Sequence, residues 1–158
     1  MPAPLTIKTL LNQYRIEEFT TTTPLGELYR ATEERSQKAI ALTILSPSIT
    51  GNSEELKALE ANSIRLQGIS HPNLNPYHGL YKTSTQIFIV EDWVDGPTLK
   101  TVHERGRLAA EETLFIAKSI CGAGNCMLVA GIAGRPLDAA CVARVAFYCS
   151  GSSAFARQ

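Results

Sequence analysis

Between Tyr14 and Glu91 the chain keeps switching between extended runs and tight turns, and a single stretch long enough for a helix interrupts them. Tyr14-Arg15-Ile16-Glu17-Glu18-Phe19 alternates apolar and polar residues, as a half-buried strand does. Thr20 to Pro24 reads as a turn-like break, after which Gly26 to Thr32 resumes extended structure. Arg35-Ser36-Gln37-Lys38 then connects a hairpin into Ala39–Leu45, which Ser46-Pro47-Ser48 closes. Asn52 followed by Glu55 has the spacing of a capping box, a helix-start signal. Leu56, Leu59, Leu66 and Ile69 fall near one helical stripe, and His71-Pro72 ends it. Pro76–Lys82 and Gln86–Glu91 give two more strands around Thr83-Ser84-Thr85. The pattern predicts an α+β fold: a five-stranded antiparallel sheet with one packed helix between the third and fourth strands. That helix, laid over one sheet face, would form the core.

Beyond Gly96, Thr98 to Arg105 predicts a short helix. Leu108-Ala109-Ala110-Glu111-Glu112 opens another, with Leu114, Ala117 and Cys121 on a common stripe. After Lys118 the composition changes, and the only charges left are Arg135, Asp138, Arg144 and Arg157. Three explanations compete for residues 122–158. A membrane segment is disfavoured, because the uncharged run Ser119–Gly134 falls short of the ~20 residues that a spanning helix needs. A poorly ordered tail fits the shortage of large apolar residues. A reading-frame slip near Cys121 would also produce such a shift, and it makes 122–158 a non-native tail.

Four blocks stand in a telling order: Leu25-Gly26-Glu27-Leu28-Tyr29-Arg30-Ala31, the strand Ile40–Leu45, Ser70-His71-Pro72-Asn73-Leu74, and Ile87-Phe88-Ile89-Val90-Glu91-Asp92-Trp93-Val94-Asp95-Gly96. Together they resemble the amino-terminal half of a eukaryotic-type (bacterial Ser/Thr) protein kinase, over about residues 10–121. The resemblance implies a small lobe over 10–96, the first helices of the large lobe over 97–121, and a domain cut short of its catalytic loop.

The residues that would carry kinase chemistry differ from the family's. A glycine-rich turn lets backbone amides approach ATP phosphates. Here Thr21 and Thr23 replace two of its glycines and Gly26 keeps the third position, while Pro24 brings no amide hydrogen. Thr43 stands where the family has the phosphate-pairing lysine, and Asn62 where it has the glutamate that holds that lysine. Glu60 is near in sequence but lies two helical positions, roughly 200°, around the axis. Glu91 takes the gatekeeper position, where a dry carboxylate is costly, so a wet pocket or a partner such as Lys82 is expected. Asp92 and Trp93 would form the hinge, whose main-chain groups recognise an adenine edge. Gly26, Thr43, Asp92 and Trp93 thus outline a degenerate nucleotide pocket. No His-Arg-Asp, Asp-Phe-Gly or Ala-Pro-Glu run occurs in the sequence.

No catalytic residue and no metal ligand is assigned, and no cofactor is expected, ATP being the one candidate. His71 belongs to a helix-ending turn, while His78 and His103 are isolated. Zero formal net charge lacks the basic footprint of a nucleic-acid binder. The opening residues carry no secretory pattern, and Cys121, Cys126, Cys141 and Cys149 match no common zinc spacing, so free thiols in the cytoplasm are expected. The leading expectation is a truncated pseudokinase with a binding or scaffold role, meeting a protein partner through an exposed lobe interface. A Ser/Thr kinase with ATP binding, the rest of its catalytic domain lost, is the alternative, and a non-functional remnant is the third.

Overall fold

The computed structural model describes residues 10–96, 99–106 and 108–132, apart from the side chains of Lys100, His103 and Arg105. The described residues fall into two compact units: one comprises those up to Gln67 together with Tyr77–Trp93, the other Gly68–Pro76 and the described residues from Val94 to Ile132.

The first unit holds six strands: β1 (Leu10–Leu11), β2 (Tyr14–Thr23), β3 (Gly26–Glu33), β4 (Ala39–Leu45), β5 (Tyr77–Lys82) and β6 (Ile87–Asp92). They form one antiparallel sheet in the order β1-β2-β3-β4-β6-β5. The predicted five are all present, and β1 is a two-residue addition at the edge. Thr20–Thr23 is not a break: β2 runs on to Thr23, which pairs with Gly26 across the two-residue turn Pro24-Leu25. Four threonines in a row are polar, yet their branched Cβ atoms favour extended backbone, and that preference wins.

Ring contacts reveal the shape of the sheet. Four strand steps separate β2 from β5, which would put them about 19 Å apart in a flat sheet. The Tyr14 and Tyr81 rings nevertheless meet edge-on with centroids 6.0 Å apart, and Phe88 stacks on Tyr81 at 5.7 Å. The sheet therefore curls strongly, bringing one face onto itself. That face holds the larger core: Tyr14, Ile16, Tyr29, Ala31, Ile40, Leu42, Ile44, Phe88 and Val90 are buried together, with Leu11 and partly Tyr81. The predicted core under the helix also exists, but it is smaller: Leu45, Ile49 and Ile89, with Leu56, Leu59, Leu80 and Ile87 packed on them.

Helix α1 (Pro47–Thr50) is a single turn with proline at its start. Helix α2 (Ser53–Gln67) begins where the capping signal predicts, Asn52 Oδ1 accepting from the amides of Glu54 (3.2 Å) and Glu55 (3.3 Å). Leu56 and Leu59 turn inward, whereas Ile64 is exposed and Ile69 lies beyond the helix end.

In the second unit, the His71 turn is held locally: its Nδ1 accepts from the Asn73 amide (3.1 Å) and its carbonyl from the Leu74 amide (3.0 Å). Helix α3 spans Leu99–Arg105 and helix α4 Ala110–Val129. At the start of α4, the Glu112 carboxylate accepts from the Ala109 amide (2.8 Å). The helix passes through residue 122 without interruption, so the compositional change at Cys121 is not an element boundary. Its buried stripe is Ile116, Ser119 and Ala123, and the predicted stripe of Leu114, Ala117 and Cys121 faces solvent. Apolar residues lie on both faces of this helix, so periodicity alone chose the wrong one. Residues 133–158 lie outside the described residues. Among the described residues, no helix is long and apolar enough to cross a membrane.

Candidate functional site

Alternation along the strands sets which residues share the sheet face under α2. Gly26 pairs with Leu45, Leu28 with Thr43 and Arg30 with Ala41; across the other border of β4, Thr43 pairs with Ile89 and Ala41 with Glu91. Gly26 and Thr43 therefore lie on one face of the sheet.

Thr43 is buried at 7% exposure between Leu28 and Ile89, both also buried. A short β-branched residue fits this slot on a central strand, and its neighbours across both ladders are aliphatic. Gly26 has a reason to be glycine that involves no ligand. Its φ is +149°, and an added Cβ would lie 1.9 Å from the Ile44 carbonyl oxygen. Thr23 seals the adjoining turn, donating from its hydroxyl to Gly26 O (3.0 Å) and accepting from Gly26 N (3.3 Å).

At the other end of the face, Asp92 and Trp93 diverge. The Asp92 carboxylate pairs with His78 Nε2 at 2.6 Å. The Trp93 amide donates to Ala39 O (3.3 Å), extending the β4–β6 ladder, and so is not open to an adenine edge. Its ring carries the Arg30 guanidinium 5.5 Å from the centroid. Glu17 lies beside Arg30 at 4.0 Å and also accepts from the Thr32 hydroxyl at 2.6 Å.

Lys82 does not serve Glu91; it forms an ion pair with Glu60 of α2. Glu91 instead lies opposite Tyr77 in the β5–β6 ladder, half-buried. The Tyr77 hydroxyl donates to Ser63 Oγ at 2.8 Å. Burial first, with the Glu91 charge adding, pushes the Tyr77 phenol up to about 12; burial does the same for Tyr14, also to about 12. Both shifts favour the neutral phenol in the folded state. Their stabilisation is complete below the ordinary tyrosine value of 10.0 and is lost as pH rises through about 12. Ultraviolet titration of tyrosinate is therefore expected to show Tyr14 and Tyr77 ionising late. Replacing Tyr14 or Tyr77 by phenylalanine removes one late step each; a variant whose late-ionising amplitude equals the parent's refutes the assignment for that residue.

Ser63–Tyr77, Glu60–Lys82 and Arg30–Trp93 all escaped sequence reading, because each joins elements far apart in the chain and no local pattern marks them. Among the described residues, no group of three or more His, Cys, Asp or Glu side chains converges to hold a metal ion.

No protein-family model matches the chain. Among curated proteins, it is 22% identical over 113 residues to serine/threonine-protein kinase 36 of Pongo abelii, covering 72% of this chain and 8% of that protein. It is 22% identical over 112 residues to serine/threonine-protein kinase PknD of Mycobacterium tuberculosis, covering 70% and 17%. Among solved structures, the Mycobacterium tuberculosis PknI kinase domain aligns with TM-score 0.65 at 20% identity, over 77% of this chain and 49% of that one. A double mutant of the same domain gives 0.68 at 18% identity, over 80% and 52%. The chain thus spans about half of the solved kinase domains it matches and under a fifth of the curated relatives. Sheet order, the helix after β4 and these alignments agree: the chain has a protein kinase-like α+β fold, its sheet matching the small lobe.

Proposed function

We propose that this chain is a kinase-like binding module that transfers no phosphate itself. The observation that carries this reading is the slot at Thr43, where a neutral side chain sits between Leu28 and Ile89. Phosphoryl transfer relies on fixed cations around the phosphates and on acids that hold magnesium and orient the acceptor. The slot supplies no cation, and Glu60 is engaged with Lys82. A partner-binding role draws support from α4, where Leu114, Phe115, Leu128 and Val129 are exposed.

Calorimetric titration of the whole chain with ATP, with and without magnesium, tests this reading alongside phosphate transfer to a generic protein acceptor. We expect no magnesium-dependent binding and no transfer above a protein-free blank. Transfer that rises with protein concentration and needs magnesium would return the chain to the enzymes.

A further inference from the structure

Strand β5 carries a departure from regular pairing that has a use. Tyr77 pairs with Glu91 and Gly79 with Val90, so His78 is an extra residue bulged out of the ladder. A bulge leaves a backbone group without its ladder partner, and here the His78 carbonyl accepts from Gln67 Nε2 of α2 at 3.1 Å. Gly79, buried with φ +150°, makes room for this contact. An added Cβ would lie 2.6 Å from that same Gln67 nitrogen. On either side of the bulge, Tyr77 reaches Ser63 and Lys82 reaches Glu60. Three successive turns of α2 are thereby fastened to one edge strand by polar contacts, while the central strand β4 contributes apolar packing through Leu45 and the neutral Thr43.

We propose that β5 is a strut that sets the position of α2, through Tyr77, the His78–Gly79 bulge and Lys82, in addition to the apolar packing of Leu56 and Leu59. The placement of the helix depends on the polar contacts of this edge strand. The contributions are unequal. The Tyr77–Ser63 bond is largely sequestered, whereas the Glu60–Lys82 pair is exposed and screened, so Tyr77 carries more of the hold.

Hydrogen exchange of the full chain without nucleotide, read peptide by peptide, tests the strut. In Tyr77→Phe/Gln67→Ala, exchange across the Leu56–Gln67 stretch is expected to speed up by roughly tenfold, with β4 and β6 unchanged. Lys82→Met, a surface change that leaves both cores intact, is expected to speed the same stretch by no more than about threefold. Tyr29→Phe, which removes a hydroxyl bonded to Glu27 on the other sheet face, leaves α2 unaffected. Unchanged α2 exchange in the double variant, or a rise shared equally by β4 and β6, overturns the proposal. Because no nucleotide enters this measurement, its failure is distinct from failure of the phosphate-transfer test.

Discussion

Gly26→Ala is expected to destabilise the chain by about 3 kcal/mol or more, lowering the thermal midpoint by about 10 °C or more. Two costs act together. At φ +149° any L side chain is strained, and the new methyl would lie 1.9 Å from Ile44 O and 2.8 Å from Ser46 N. Both atoms are backbone, and Ser46 N is itself bonded to Leu25 O at 2.8 Å. Neither can yield without parting β3 from β4, so the penalty is not relieved by a rotamer change. Circular dichroism melting checks the expectation. The result also separates two meanings of this glycine. If its role were to clear space for a phosphate, alanine would fold normally and lose only ligand affinity. A melting midpoint within a degree or two of the parent would favour that second meaning and defeat the packing argument.

The contrast bears on what was legible in the sequence. Strands β2 to β6 and helix α2 could be read because alternation, turn residues and a capping asparagine report local backbone preferences, and these survive in the fold. Thr43 could be placed because a resemblance fixes position along the chain, and position along β4 fixes the face. What failed were statements that depend on which surface meets which. The threonine run reads as a turn only when polarity is weighed above the branched Cβ. On α4 the stripe of Leu114, Ala117 and Cys121 is exposed and Ile116 buried, because apolar residues lie on both faces and only the fold says which side is covered. The larger core was missed for the same reason. Alternation in β4 and β6 shows that two faces exist, but the curl that closes one of them is a property of the whole sheet.

The Arg30–Trp93 and Tyr77–Ser63 contacts extend that limit to the candidate site. The sequence marks Thr43 and Asn62 as departures from the family's lysine and glutamate. The structure adds contacts that no local pattern announces. Tyr77 and Ser63 are 14 positions apart, and their bond exists only because β5 returns antiparallel to the sheet edge beneath α2. Such contacts carry no motif by which they could be recognised in advance. A sequence accordingly shows where a residue differs from a family's pattern more readily than which contacts hold the fold in place.

Phe88→Ala locates most of the stability on the face away from Thr43, with an expected loss of about 3–5 kcal/mol. Phe88 is 0% exposed on β6, stacked on Tyr81 at an interplanar angle of 21° and meeting Tyr14 edge-on at 6.2 Å. Truncation removes the apolar transfer energy of a ring, leaves a void that β-sheet backbone cannot close, and breaks two aromatic pairs. These three rings join β2, β6 and β5, so their loss loosens the curl itself rather than one strand pair. Denaturant titration should show the midpoint falling accordingly. Water admitted to the cavity should also bring the Tyr14 phenol back toward its ordinary value, since burial is the main cause of its upward shift. A loss below about 1 kcal/mol, with the late-ionising tyrosine unmoved, would mean that the helix-side cluster holds the fold and that closure of the opposite face is incidental.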